Sequence, residues 1–164
     1  MTSMNSPRAL GLTSAITAII ADQATKAVVV ANADALGSEI AVFPGFNLVF
    51  GRNDGVTFGM LGGTPWWGLS LLASSICLWL AIMLYRSDSR IEALAYGAII
   101  GGALGNVIDR VRFGGVTDFL DFYAGQMHWP AFNLADVFVV CGVALLLLAS
   151  VFERHGNSSR VGQE

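Results

Sequence analysis

Two aspartates in this sequence stand where an acid needs a reason. Asp118 lies in Gly114-Gly115-Val116-Thr117-Asp118-Phe119, among apolar neighbours, and Asp136 lies in Phe132-Asn133-Leu134-Ala135-Asp136, at the head of a long apolar run. Asn133 and Asp136 are three positions apart and share one face of a helical turn. Asp136 could complement the helix dipole, although a run that begins at 132 puts it about one turn inside, deeper than a cap needs. Asp121, three residues beyond Asp118, is the main rival for any role given to Asp118. Two carboxylates held close together cannot both ionise, so they share one proton. The ionised member can then activate water against a carbonyl, while the protonated member donates to the developing oxyanion. Spacing does not bring 118 and 136 together, but it allows both to lie at one depth on neighbouring segments.

Other hydrolytic chemistries fit poorly. His155 sits in the C-terminal tail, and His128 has no nucleophile at a recognisable spacing. The histidine pair of a His-Glu-x-x-His zinc helix is lacking. The remaining polar residues of interest sit within or beside apolar runs. Asp22 and Lys26 are spaced i,i+4 with the acid first, the favourable order for a helical ion pair, and an internal brace is the plain reading. Asn106, Asp109 and Arg110 follow at i, i+3 and i+4 on one face. They could brace helix ends, or Arg110 could hold a carbonyl or phosphate of a ligand. Gly101 and Gly105, four apart, form a small-residue face that lets helices approach closely.

The elements that must position these groups are apolar and long. Apolar residues make up 54% of the 164, charged residues only 13%, and the mean hydropathy is +0.62. Four stretches, 9–31, 65–85, 91–108 and 132–152, hold only Asp22, Lys26, Glu92 and Asp136 among all the charges. Each is near the roughly 20 residues that span a bilayer. A single membrane domain, 1–164, with four transmembrane helices is therefore expected. A water-soluble enzyme, a disordered tail and a nucleic-acid binder are excluded, and a net charge of −3 without a basic block agrees.

Arg8, Arg86, Arg90, Arg154 and Arg160 cluster in the termini and the short 86–90 connection, which puts both termini in the cytoplasm. The longer loops, 32–64 and 109–131, then face outward, with Trp66, Trp67, Tyr123 and Trp129 near the outer boundary. Residues 9–31 superficially resemble a cleaved leader, but Asp22 and Lys26 interrupt its apolar core, so an uncleaved first helix is expected. Cys77 and Cys141 lie mid-span and read as packing residues. In the first outer loop, 39–43 and 46–50 read as strands about Pro44-Gly45, and Asn53-Asp54-Gly55 as a turn before strand-like 56–58. A small sheet on the membrane surface is the expected product.

Five blocks, in order, make the chain resemble the lipoprotein signal peptidases, the type II signal peptidases of bacteria. They are Asp22-Gln23-Ala24-Thr25-Lys26, Asn53-Asp54-Gly55-Val56-Thr57-Phe58-Gly59, the Gly101–Arg110 run, Val116-Thr117-Asp118-Phe119 and Phe132-Asn133-Leu134-Ala135-Asp136. The resemblance covers about Leu10 to Phe152. The second block departs from the family pattern, with Gly-Val-Thr-Phe where Gly-Ala-Ala-Phe is more typical.

The resemblance implies an α-helical polytopic aspartic endopeptidase with a cradle-like outer sheet and a mobile outer loop or short helix over the substrate. Such enzymes cleave the signal peptide from a prolipoprotein just before a diacylglyceryl-modified cysteine. By position, Asp118 and Asp136 become the catalytic pair and Asp121 a nearby non-catalytic acid. Asn53, Asn106, Arg110 and Asn133 become contacts to substrate or to a peptide inhibitor such as globomycin, and Asp22, Lys26, Asp109 and Gly105 supports of the site. No metal or organic cofactor is implied. The partners are prolipoprotein and membrane lipid, the working unit a monomer, and the location the bacterial inner membrane with the site at its extracytoplasmic face. Two other functions compete on the residues alone. A proton-coupled transporter or channel would use Asp22, Lys26 and Asp109 as a relay, but needs an acidic path to both faces. A non-catalytic scaffold would use the aspartates only to tie helices together.

Overall fold

The computed structural model describes residues 6–36, 39–55 and 65–161, with side chains of the last helix described as far as Phe152. Four helices are long and apolar enough to cross a membrane. Helix α1 (Pro7–Ala31) starts at Ser6, whose hydroxyl accepts from Ala9 N with Pro7 in the first turn, where a missing N–H does no harm. A short helix, α2 (Ala33–Leu36), follows, then strands β1 (Ile40–Phe43) and β2 (Phe46–Asn53). Helix α3 (Trp66–Arg86) is joined by three residues to α4 (Arg90–Phe113). Ser89 caps α4 by accepting from Glu92 N, and the Glu92 carboxylate takes the Ser87 hydroxyl at 2.7 Å. An acid in the first turn also complements the helix dipole. Strands β3 (Val116–Ala124) and β4 (Met127–His128) precede α5 (Leu134–Val161).

Helix α4 is the hub, packing against α1, α3 and α5. Its small residues make this possible. A Cβ on Gly97 or Gly101 would strike the backbone of α1 at Gly11 or Ala15, and one on Gly102 the backbone of α5 at Ala135. The small-residue seam is thus longer than Gly101 and Gly105 alone. Outward faces are apolar: Leu12, Leu71, Leu78, Trp79, Val140 and Leu147 are all more than half exposed. In water such a surface would be untenable; in lipid it is the expected one. Cys77 is buried among these helices, whereas Cys141, expected as a packing residue, is exposed on α5 because it shares the lipid-facing side with Val140.

The four strands form one antiparallel sheet in the order β1-β2-β3-β4. Leu48, Phe50, Phe119 and Leu120 of the sheet cluster with Val29, Leu36 and Leu134 at one end of the bundle. Expected strands 39–43 and 46–50 are present as β1 and β2, while strand-like 56–58 lies outside the described residues. The sheet draws its longest strand from the second connection, which was expected as a loop over the site. Two further boundaries differ. Helix α4 runs to Phe113, taking Asp109 and Arg110 into its last turn, and stops at Gly114, whose φ of 74° suits glycine. Helix α5 begins at Leu134 rather than 132.

Candidate active site

The sheet carries Asp118 to the bundle. In the β2–β3 register Asp118 faces Gly51, and Asn53, two residues along β2, donates its amide Nδ2 to Asp118 Oδ2 at 2.9 Å. Gly55 N donates to Asn53 Oδ1 at 3.0 Å, so the Asn53 amide is held from both sides. From α5, Asn133 Nδ2 donates to the other Asp118 oxygen at 2.6 Å. Asp118 is 5% exposed. Burial, the strongest influence, pushes its carboxyl up to about 6 from an ordinary 3.8, while the Asn53 and Asn133 donors pull downward and the Asp136 charge adds to the rise.

Asn133 also begins α5. Its Oδ1 accepts from Asp136 N at 3.1 Å, and its own N–H donates to Asp136 Oδ2 at 3.2 Å. This is a reciprocal capping box with Asn and Asp in the two positions. Because α5 begins at Leu134, Asp136 sits in the first turn, not deeper than a cap needs, and one of its oxygens does cap the helix. The other accepts from Asn106 Nδ2 of α4 at 2.8 Å. Asn133 therefore links the two aspartates, touching Asp118 with its side chain and Asp136 with backbone and side chain. Asn53, Asn106, Arg110, Asp118 and Asp136 all line one cleft of about 230 Å³, walled by Ala73, Ala103 and Val139 of α3, α4 and α5. Arg110 reaches across it, donating from Nη2 to Gly55 O at 3.0 Å, and its buried Nε has no partner among the described residues.

Behind the cleft lies a buried charged cluster. Lys26 Nζ is 3.0 Å from Asp22, 3.5 Å from Asp109 and 2.8 Å from Asn106 Oδ1. The expected Asp22–Lys26 pair is present, but as part of a larger set. Asp22 accepts from Ala135 N at 3.0 Å and Asp109 from Thr117 N at 2.9 Å, so the cluster grips the start of α5 and of β3. Gly105 is needed here, since a Cβ would meet the Asp22 carboxylate. Gln23, which sequence reasoning did not single out, contacts Asp22 and Asp109 at 3.1 Å each. Its signal was available: it is an amide inside an apolar span, beside Asp22.

Asp121 is elsewhere. Three residues from Asp118 along a strand, it points to the opposite side, where it accepts from Asn47 Nδ2 at 3.1 Å and lies 2.9 Å from His128 Nδ1. The buried acids Asp22, Asp109, Asp118 and Asp121 gather at the sheet end of the bundle, and α3 and the described side chains of α5 below Asp136 carry no acid.

The arrangement has solved counterparts. A bacterial membrane enzyme determined by the in meso method at 2.3 Å superposes with a TM-score of 0.79 at 29% identity, over 88% of each chain. A second, at 1.9 Å, gives 0.74 at 31% identity, over 85% of this chain and 90% of that one. Fold and site thus define a multi-pass membrane enzyme of bacterial type, with two carboxylates lining one cleft. The sequence narrows this class. The family described as Signal peptidase (SPase) II matches residues 14–152. The lipoprotein signal peptidase of Serratia proteamaculans (strain 568) is 38% identical over 150 residues, 88% of either chain. That of Cronobacter sakazakii (strain ATCC BAA-894) is 40% identical over 138 residues, 81% of this chain and 83% of its own. The chain belongs to the signal peptidase II family of aspartic peptidases.

Proposed function

We propose that this peptidase removes signal peptides from bacterial prolipoproteins, cutting before a diacylglyceryl-modified cysteine, with Asp118 and Asp136 as the catalytic pair. The observation that carries the reading is the shared cleft: both carboxylates line it, each is held by amide donors, and Asn133 ties them together. One ionised carboxylate takes a proton from water, the water oxygen attacks the scissile carbonyl, and the other carboxyl donates its proton to the forming oxyanion. Arg110, with a buried N–H to spare, and the second amide hydrogens of Asn53 and Asn106 are donors suited to the substrate backbone. Asp22, Lys26, Asp109 and Gly105 support the site from behind.

The wall of Ala73, Ala103 and Val139 leaves the cleft bounded by small apolar side chains on three membrane-length helices. A substrate tethered by acyl chains can remain in the bilayer while its peptide enters from the side. Water is available at the membrane surface, which favours a cleft at the outer face of the inner membrane, the orientation given by the arginine distribution. Every proposed group comes from one chain, which supports a monomer as the working unit.

The test is purified protein in bilayer discs with a diacylglyceryl-modified prolipoprotein peptide. Cleavage immediately before the modified cysteine, absent from Asp118→Asn and Asp136→Asn and retained by Asp121→Asn, is the expected result. A dead Asp121→Asn beside an active Asp118→Asn would overturn the pair.

A further inference from the structure

We propose that Lys26 is a positioning residue that, through Asn106, makes Asp136 the ionised member of the pair and leaves Asp118 as the proton donor. This rests on the assignment of Asp118 and Asp136 as the catalytic pair and goes one step beyond it.

The argument turns on which way an amide points. An ammonium group has only donors and a carboxylate only acceptors. Asn106 stands between the two, 2.8 Å from Lys26 Nζ through Oδ1 and 2.8 Å from Asp136 Oδ1 through Nδ2. Turning the amide over would set its NH2 against the ammonium and its oxygen against the carboxylate. Lys26 is 3% exposed, so the misfit at the ammonium could not be relieved by water. The amide is thereby fixed with its N–H on Asp136, and a cation polarises that N–H from behind.

Donor count alone does not separate the two acids, since each receives two N–H groups. What lies behind the donors does. The Asn53 and Asn133 amides that hold Asp118 spend their oxygens on the neutral backbone N–H groups of Gly55 and Asp136. Among the described residues no cation contacts either amide oxygen, and the Lys26 charge reaches Asp118 only from a distance. Asp118 is also the more buried, while Asp136 is partly open to the cleft. The charged groups around the pair are Asp22 and Lys26 from α1 and Asp109 and Arg110 from α4. Arg110 lines the same cleft as both acids and favours neither by contact. Asp22 turns its other oxygen to Ala135 N, and Asp109 takes Thr117 N on the oxygen that faces Lys26 and Gln23 on the other, which leaves the Lys26 bond to Asn106 as the charged link toward the pair.

The roles then follow with all atoms balanced. Asp136 takes a proton from water as the new C–O bond forms, and the carbonyl electron pair collects the Asp118 proton. Asp136 then protonates the departing amine as the C–N bond breaks. Asp118 recovers a proton from the diol, which becomes the new carboxylic acid.

The pH dependence of kcat/KM for wild type, Lys26→Gln and Asn106→Leu, each normalised to folded protein, tests this. Both variants should displace the acidic limb of the profile, which the base sets, because Asp136 loses the N–H that Lys26 orients. A lowered rate or melting temperature with an unmoved acidic limb in the variant that folds would mean a merely structural role and overturn the proposal. Infrared difference spectra at about pH 5 give an answer that needs no turnover. The carboxylic-acid C=O band should be lost in Asp118→Asn and kept in Asp136→Asn, and the reverse overturns the assignment. If both Asp→Asn variants cleaved substrate, the pair itself would be wrong, which is a separate outcome.

Discussion

Asp118→Asn should change how the stability of the fold depends on pH, and the structure gives the size of the change. Burial raises the Asp118 carboxyl from 3.8 to about 6. At 1.36 kcal/mol per unit, that is about 3 kcal/mol of differential interaction. Between the two values the folded chain keeps a proton that the unfolded chain has released. Stability therefore falls as pH rises from about 4 to about 6, is unaffected by this group at lower pH, and carries the full penalty at higher pH. Asparagine has no such titration, but it also has one acceptor oxygen for two amide donors, Asn53 Nδ2 and Asn133 Nδ2. The lost acceptor costs about 1–3 kcal/mol at every pH. The variant should thus melt below wild type at pH 4 and draw level with it or pass it at pH 7.5. The gap between them should change by about 5–10 °C. Thermal unfolding in a nonionic detergent across that range is the assay. A wild-type-to-variant gap that stays constant would refute the reasoning, because Asp118 would then not be titrating against its buried setting.

Three further outcomes are expected. Asp118→Asn and Asp136→Asn should each lower kcat by about 10³-fold, since each removes half of the acid–base chemistry, while Asp121→Asn, bonded to Asn47 and His128 away from the cleft, stays within about threefold of wild type; steady-state cleavage checks both. Gly105→Ala should destabilise by about 1–3 kcal/mol, measured by thermal shift, because its Cβ would meet the Asp22 carboxylate and the buried cluster has no room to yield. Asn133→Ser should keep the α5 cap but lose the bond to Asp118, at a cost of about 1–3 kcal/mol, whereas Asn133→Ala should lose both and melt lower still. Parallel melting and cleavage assays separate these two effects.

The membrane spans were legible because lipid demands long apolar runs, and charges that interrupt them stand out. Asp22, Lys26 and Asp136 announced themselves in that way. Strand β3 did not. Val116 through Phe119 are all buried, both faces being covered, so the polar–apolar alternation of a half-exposed strand is absent and Asp118 looked like a misplaced loop acid. The partners of the acids were equally hidden. Asn53 meets Asp118 across 65 positions and Asn106 meets Asp136 across 30, and no local spacing encodes such pairs. Gly97 and Gly102 were overlooked because a glycine in an apolar span has no pattern until the helix it touches is known. The five ordered blocks carried the family where spacing could not. They reach across the same distances that the fold closes.

The groups that hold the pair also start the elements on which the pair rides. Asp22 takes the N–H of Ala135, Asp109 takes that of Thr117, and Asn133 and Asp136 cap one another at the head of α5. Each bond satisfies a donor at the start of a helix or strand that would otherwise be left bare near lipid, where an unpaired N–H is most costly. The same bond fixes a carboxylate or its amide partner to within a rotamer. Folding of the sheet end and assembly of the cleft are thus one event. A chain whose α5 frays at Leu134 loses Asp136 and the Asn133 grip on Asp118 together, so partial order in this region should leave no partly active enzyme.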